Sequence, residues 1–223
     1  SLDASTGEEI WRATFGAGTR SASQHSQALY PLFTHIPGLK VVVPSSPYDA
    51  KGLLIQAIRD DDPVIFLEHK AMYDDMGEVP DGAYVVPFGE AGVLRDGGDV
   101  TIVAYGRMVG RAMEAAARLA RDGIEATVLD PRTTSPLDID TIVETLEETG
   151  RLVIVDEAYP RCGMASDIAG IVAEEAFGLL KAPIQKVTPP HAPVPYAPEL
   201  EAAYIPSVEK IEAAVRKAVG WTR

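Results

Sequence analysis

Cysteine is the first thing this sequence lacks: Cys162 is its single one in 223 residues. That excludes an intramolecular disulfide framework and fits a reducing compartment. Basic charge is scarce too, with 20 lysines and arginines against 33 aspartates and glutamates, a net charge of −13. Such a surface disfavours indiscriminate binding to nucleic acid or anionic membranes and suits a basic protein partner. No apolar run approaches the roughly 20 residues of a membrane span. Residues 1–9 are small and acidic, with neither the basic nor the apolar region of a signal peptide, and read as a frayed end. The expectation is a soluble, cytoplasmic protein. Chemical signatures are missing as well: no phosphate-binding lysine loop, zinc-protease helix or paired-cysteine metal site is present. No Gly-x-Ser-x-Gly nucleophile elbow exists, so Ser26 beside His25 is not a hydrolase pair.

What is present is ordinary globular material, 46% hydrophobic and 24% charged, long enough for one large or two small α/β domains. Ile10 to Phe15 suits a short strand that runs into Gly16 and Gly18, where the backbone turns sharply. A short helix over Ala28 to Phe33 precedes the β-branched run Leu39 to Pro44, a strand buried on both faces. Ser46 caps and Pro47 opens the next helix, whose stripe is Leu53, Leu54, Ala57 and Ile58. Val64 to Leu67 closes a strand–helix–strand unit. From Asp74 to Gly92 there is no periodicity, and a linker with a domain boundary is expected there. Four strands follow, at Val100, Ala126, Leu152 and Ile184. They alternate with helices over Met108 to Arg121, Pro136 to Leu146, Gly163 to Leu180 and Ser207 to Val219. This rhythm predicts an α/β fold with doubly wound, mostly parallel sheets.

Several residues draw attention. Gly16-Ala17-Gly18 starts like a dinucleotide fingerprint, but its third glycine is missing. His25, in Gln24-His25-Ser26-Gln27, either bonds a neighbouring loop or serves a reaction. The glycine-rich approach, the flanking amides and the loop setting favour the second. His35 sits in an apolar setting and reads as structural, while His69 and His191 have no local partner. Asp60-Asp61-Asp62 put three anions at the negative end of a helix dipole. Either a bound cation relieves that conflict, using helix-end carbonyls and carboxylates, or the turn is simply solvated. Asp156-Glu157 falls at a carboxyl edge, where such sheets hold ligands or partners. Cys162 is expected to be buried or half-buried at a helix start.

Taken in order, these segments resemble a known family. Gln24-His25-Ser26-Gln27, His35 to Val42, Pro47 to Leu54, Ala57-Ile58-Arg59-Asp60 and Asp62-Pro63-Val64 follow its pattern. So do Asp99 to Gly106, Asp130 to Asp138, Gly150 to Glu157 and Pro193 to Pro198. The family is the beta subunit of the decarboxylating component of thiamine-diphosphate-dependent 2-oxo acid dehydrogenases: pyruvate, branched-chain and acetoin. It lies within the transketolase-like superfamily. The resemblance implies that residues 1–87 are the latter part of a pyrimidine-binding domain and residues 88–223 a transketolase C-terminal-like domain. An alpha subunit would supply the thiamine diphosphate and magnesium site. His25 would face the active site at the subunit interface and assist proton transfer and acylation of the lipoyl group. A structural potassium ion would lie at the carbonyls of Ala57 and Ile58, with Asp60 and Asp62. Asp62 stands where relatives often carry asparagine. No residue is assigned to the cofactor itself.

Implied partners are the alpha subunit, a second beta subunit and the binding domain of a dihydrolipoyl acyltransferase. The family carries further residues ahead of the glycine-rich loop, including a glutamate that activates the cofactor's aminopyrimidine. Glu8 and Glu9 do not match it. The chain is therefore expected to be N-terminally truncated and inactive alone, with an apolar sheet edge exposed. The His25 loop, lacking its other walls, is expected to be disordered. Two alternatives stand beside the enzyme reading: a non-catalytic role in subunit pairing and acyltransferase docking, and a transketolase-related enzyme fragment.

Overall fold

Apolar and β-branched runs become the centres of two sheets in the computed structural model, which describes residues 9–222; the acidic stretch at 1–8 lies outside them. The first half forms strands β1 (Ile10–Phe15), β2 (Lys40–Val42) and β3 (Val64–His69), with helices α1 (Ser23–Ser26), α2 (Tyr30–Thr34) and α3 (Pro47–Ile58). The second half forms β4 (Gly92–Arg95), β5 (Val100–Ala104), β6 (Ala126–Asp130), β7 (Thr133–Ser135), β8 (Leu152–Val155) and β9 (Gln185–Val187). Its helices are α4 (Arg107–Ala120), α5 (Ile139–Thr149), α6 (Met164–Glu175), α7 (Pro198–Tyr204) and α8 (Val208–Val219).

The first sheet has the order β1-β3-β2-β7 and the second β4-β6-β5-β8-β9. Pairings are parallel except β2 with β7 and β4 with β6. This is the mixed α/β, mostly parallel architecture that the alternation predicts. Val41, Val42, Val64 and Phe66 are fully buried, as central strands with both faces covered require. Edge strand β1 is different: Trp11 is 60% exposed, so one flank of this sheet carries apolar surface. In the second half, α4 buries Met108, Ala112, Ala115, Ala116 and Leu119 along one stripe. It packs in one core with Ile211, Val215 and Ala218 of α8. Ser46 accepts from the Asp49 amide at 3.0 Å, and Asp138 and Ser207 cap α5 and α8 in the same way.

Several elements differ from the sequence reading, among them strand β4, which forms at the end of the unpatterned stretch and pairs antiparallel with β6. Helix α1 occupies the segment expected to be a disordered loop. The helix expected over Gly163 to Leu180 ends at Glu175, where Ala176 leaves helical geometry and a single 3₁₀ turn follows. The Lys181 amide then donates to the Gly150 carbonyl at 2.7 Å, drawing the chain back to the sheet. Helix α7 starts inside the proline-rich segment because Pro198 sits in its first turn, where a missing N–H costs nothing. Strand β7 crosses from the second half to pair with β2, Val41 opposite Ser135 and Val42 opposite Thr133. A continuous core also joins the halves, with Phe15, Tyr30, Val41 and Leu67 beside Val103, Tyr105, Leu129 and Ile154. The unpatterned stretch before β4 is a strap over α3: Tyr84 stacks on Tyr48 at 4.5 Å and Val86 is buried. Gly52 is required beneath it, since a Cβ there would lie 2.5 Å from Val86.

Candidate functional site

The carboxyl ends of β1 and β3 in the first sheet meet those of β5 and β8 in the second. In the second sheet β6 lies on one side of β5 and β8 on the other, so the strand order reverses between β5 and β8. Crevices at such reversals are where open α/β sheets take ligands. Here the loop after β1 fills it. Glu157, just after β8 and 5% exposed, accepts the Ala17 amide on Oε1 at 2.6 Å. Its Oε2 lies 2.9 Å from Nε2 of His69, the last residue of β3 and 3% exposed. The other ring nitrogen of His69, Nδ1, accepts the Ala71 amide at 3.2 Å. Nδ1 is therefore the unprotonated nitrogen, and Nε2 donates to Glu157. With both nitrogens committed, His69 has no lone pair for a reaction.

Glu201 of α7, 3% exposed, accepts the Gly18 amide at 2.8 Å and the Arg20 amide at 3.1 Å. The loop turns through positive φ at Gly16 (97°), Gly18 (107°), Arg20 (56°) and Ala22 (58°). A Cβ at Gly16 would sit 2.2 Å from His69 Nε2, so the backbone packs directly against the imidazole. The chain then enters α1, and His25 presents its side chain at the surface. Lys70 Nζ donates to the His25 carbonyl at 2.5 Å. Burial lowers the Lys70 ammonium pKa, against the opposing pull of Glu201 and Glu157.

Beneath this loop lies a buried polar layer. Asp156 accepts the Tyr30 hydroxyl and the Ala158 amide on Oδ1 and the Ala165 amide on Oδ2. Burial raises its carboxyl above the usual range despite these bonds. Asp130, fully buried at the end of β6, accepts the Ser45 hydroxyl and the Arg132 amide. Burial, and to a lesser degree the nearby Asp49 carboxylate, pushes it to about 7. Arg132 Nε lies 3.0 Å from Asp49 Oδ1, but the two are not aligned as a hydrogen bond.

Of the residues singled out from sequence, the structure brings Gly16, Ala17, Gly18, His69 and Glu157 together and leaves His25 at the end of the same loop. His35 is exposed, and His191 packs edge-on to Tyr159 at 5.6 Å. Cys162 is exposed, not half-buried: its φ of 54° turns the chain outward before α6 begins. At the end of α3, Lys40 Nζ lies 2.5 Å from Asp60 Oδ1 and 3.1 Å from Asp62 Oδ2. Burial raises the Asp60 pKa, but hydrogen bonds from Lys40 and the Asp62 amide outweigh it, and the carboxyl lies below its ordinary value. This ammonium group answers the helix-dipole conflict. Ala57 is buried and Ile58 exposed at that helix end. Among the described residues, no three His, Cys, Asp or Glu side chains converge as for a metal ion. No described helix is long and apolar enough to cross a membrane.

Sequence reasoning found Glu157 only as an edge residue and missed Glu201 and the role of His69. Their partners are 88 or more positions apart or are backbone amides, which leave no side-chain pattern.

Residues 7–75 match the family model described as transketolase, pyrimidine binding domain, and residues 89–211 that of transketolase, C-terminal domain. The chain is 66% identical over 210 residues to the acetoin:2,6-dichlorophenolindophenol oxidoreductase subunit beta of Cupriavidus necator, covering 94% of this chain and 62% of that protein. It is 46% identical over 208 residues to the pyruvate dehydrogenase E1 component subunit beta of Rickettsia felis, covering 93% of this chain and 64% of that protein. It thus spans less than two thirds of the length of either. A solved structure described as a split-gene transketolase, inactive beta4 tetramer, superposes with a TM-score of 0.81 at 27% identity, covering 100% of this chain and 70% of that one.

Proposed function

The chain belongs to the transketolase family, with its pyrimidine-binding and C-terminal domains, and from that premise we propose that it serves as the beta subunit of a thiamine-diphosphate-dependent dehydrogenase. Acetoin is the favoured substrate, because identity to the acetoin relative exceeds that to the pyruvate relative by a wide margin, 66% against 46%. Pyruvate and related 2-oxo acids are the alternatives. The observation that carries the catalytic reading is His25. It is an exposed histidine at the end of a strained, deeply anchored loop, beside a carboxyl edge where His69 is fully committed.

The residues fit the cofactor as one wall. The crevice between the two halves is filled by backbone and lined by the buried carboxylates Glu157 and Glu201, a poor place for a diphosphate. The outer face around His25 is open, and the diphosphate with its magnesium ion would lie on an alpha subunit. When bound, the cofactor supplies the electron sink that lets a bond to a carbonyl carbon break. His25 moves a proton to or from the reacting oxygen, or to the departing sulfur of a lipoyl acceptor. Imidazole suits this because it ordinarily titrates at about 6.5. A second beta subunit and an acyltransferase binding domain complete the proposed assembly, with the Lys40 ammonium in place of a potassium ion at Asp60 and Asp62.

The test is acetoin-dependent dye reduction by the full-length beta subunit that carries this sequence, paired with an alpha subunit, thiamine diphosphate and magnesium, with pyruvate and a branched-chain 2-oxo acid in parallel. Turnover that drops about 10²–10⁴-fold in His25→Ala is expected. Absence of turnover with all three substrates, or an active His25→Ala enzyme, overturns the proposal.

A further inference from the structure

We propose that Glu157 and Glu201 are positioning residues, which clamp the 16–20 loop into the sheet crevice of the second half and thereby set the place of His25. The inference rests on the reading of His25 as the catalytic group.

Four of the seven residues from Gly16 to Ala22 have positive φ, and two of them, Arg20 and Ala22, are not glycine. A positive φ is strained for a residue with a side chain, and at Ala22 it comes with a ψ of 179°, outside even the left-handed helical region, so it persists only where surroundings over-determine it. Glu201 supplies that constraint at Arg20, whose amide it holds with both oxygens, at 3.1 and 3.3 Å. The chain from Arg20 to α1 is only two residues, and the His25 amide bonds back to the Ala22 carbonyl at 3.4 Å. Displacement at Arg20 therefore reaches His25 with little slack.

Glu157 acts at the other end of the loop. Bonded to the Ala17 amide and to His69, it ties the loop after β1 to the end of β3. Next to His69 in the chain, Lys70 holds the His25 carbonyl from the opposite side. Arg107, at the start of α4, reaches the Ala17 carbonyl at 3.4 Å. Both clamping carboxylates come from the C-terminal half, while the histidine belongs to the N-terminal half. A crevice of the type that ordinarily receives a ligand has become a socket for the protein's own backbone. The C-terminal half thus has a part in catalysis without touching the reacting atoms.

Two readouts on the beta subunit separate this inference from the function it rests on. Hydrogen exchange of the isolated full chain follows the Ala17, Gly18 and Arg20 amides and the peptide carrying His25. Steady-state kinetics follow the alpha-paired enzyme. Glu201→Ala and Glu157→Ala are expected to speed exchange across 16–27 at least tenfold. They should lower kcat about 10–100-fold, the usual cost of misplacing a group by about an ångström, with KM changed less than about threefold. Glu201→Gln, which keeps an acceptor for the amides, should restore much of both. If Glu157→Ala does not fold, the Glu201 pair decides alone. Unchanged exchange and unchanged kcat in Glu201→Ala overturn the clamp even if wild-type turnover and its dependence on His25 stand. If exchange responds while no substrate is turned over, the clamp on the loop stands and the catalytic reading falls.

Discussion

Asp130→Asn should change the pH dependence of stability in a direction opposite to that expected of an ion-paired aspartate. Asp130 is fully buried at the junction of the halves and faces Ser45, the Arg132 amide, the Asp49 carboxylate and the Arg132 guanidinium. Burial raises it from 3.8 to about 7. Between those values the unfolded chain gives up a proton that the folded chain keeps. The contribution is fully present below about pH 4, is lost as pH rises to about 7, and is constant above. At about 1.4 kcal/mol per pH unit, the whole effect is up to about 4 kcal/mol, of which about 2–3 kcal/mol falls between pH 5 and pH 8. Asparagine has the same shape, accepts the Arg132 amide through its oxygen and donates to Ser45 through its nitrogen. It carries no charge to bury. Relative to wild type, the variant should therefore gain about 2–3 kcal/mol on going from pH 5 to pH 8. Asp156, also raised by burial, is present in both proteins and cancels in the difference. Urea unfolding at pH 5, 6, 7 and 8, followed by circular dichroism and by fluorescence of the two tryptophans, measures it. The continuous core predicts one transition seen alike by both probes. Profiles that stay parallel within about 0.5 kcal/mol would mean that Arg132 and Ser45 already hold Asp130 ionised at pH 5, and the burial argument would fail.

Other substitutions probe the remaining contacts. Gly16→Ala combines a φ of 97° with a Cβ placed 2.2 Å from His69 Nε2; a loss of about 3 kcal/mol, or about 6–12 °C in Tm, is expected by thermal unfolding. A Tm within a degree of wild type would show that loop and imidazole are not packed as described. Lys40→Met strips the counterion from Asp60, whose side chain is 8% exposed, and should cost about 1–2 kcal/mol. In wild type, replacing sodium by potassium at constant ionic strength should leave Tm unchanged, whereas in Lys40→Met potassium should raise it. A potassium-specific rise in wild type would instead mean that Asp60 and Asp62 release Lys40 to a metal.

How much of this was legible follows from the range of each interaction. Helix α3 could be bounded because its determinants are local: Ser46, Pro47 and the apolar stripe lie within one segment. Strand β6 could be bounded because Ala126 to Asp130 is a short, mostly apolar run closed by Pro131. Strand β7 could not. Its three residues lie between Pro131 and Pro136, and only pairing with β2, more than 90 positions earlier, makes them a strand. The break after Glu175 was signalled locally only by Gly178, and the pull of Gly150 on Lys181 that fixes it is long-range. The exposure of Cys162 depends on one positive φ that no residue type announced.

The site divides along the same line. His25 was visible because a histidine flanked by amides, after two glycines, is unusual in itself. Asp60 and Asp62 were visible as an electrostatic conflict, and its counterion, Lys40, was hidden because it comes from a neighbouring strand 20 positions away. Glu157 and Glu201 were nearly silent because they bind backbone, and any sequence presents amides to bind. Yet chemistry narrows the choice. A glutamate at 5% or 3% exposure needs hydrogen-bond donors close by. In a chain with 33 acidic and 20 basic side chains, backbone amides are the donors still available to acids that the cations do not reach. A loop that must hold left-handed turns offers such amides, unclaimed by helix or sheet. The acidic excess and the strained glycine loop, which looked like separate features of the sequence, therefore answer each other in the fold.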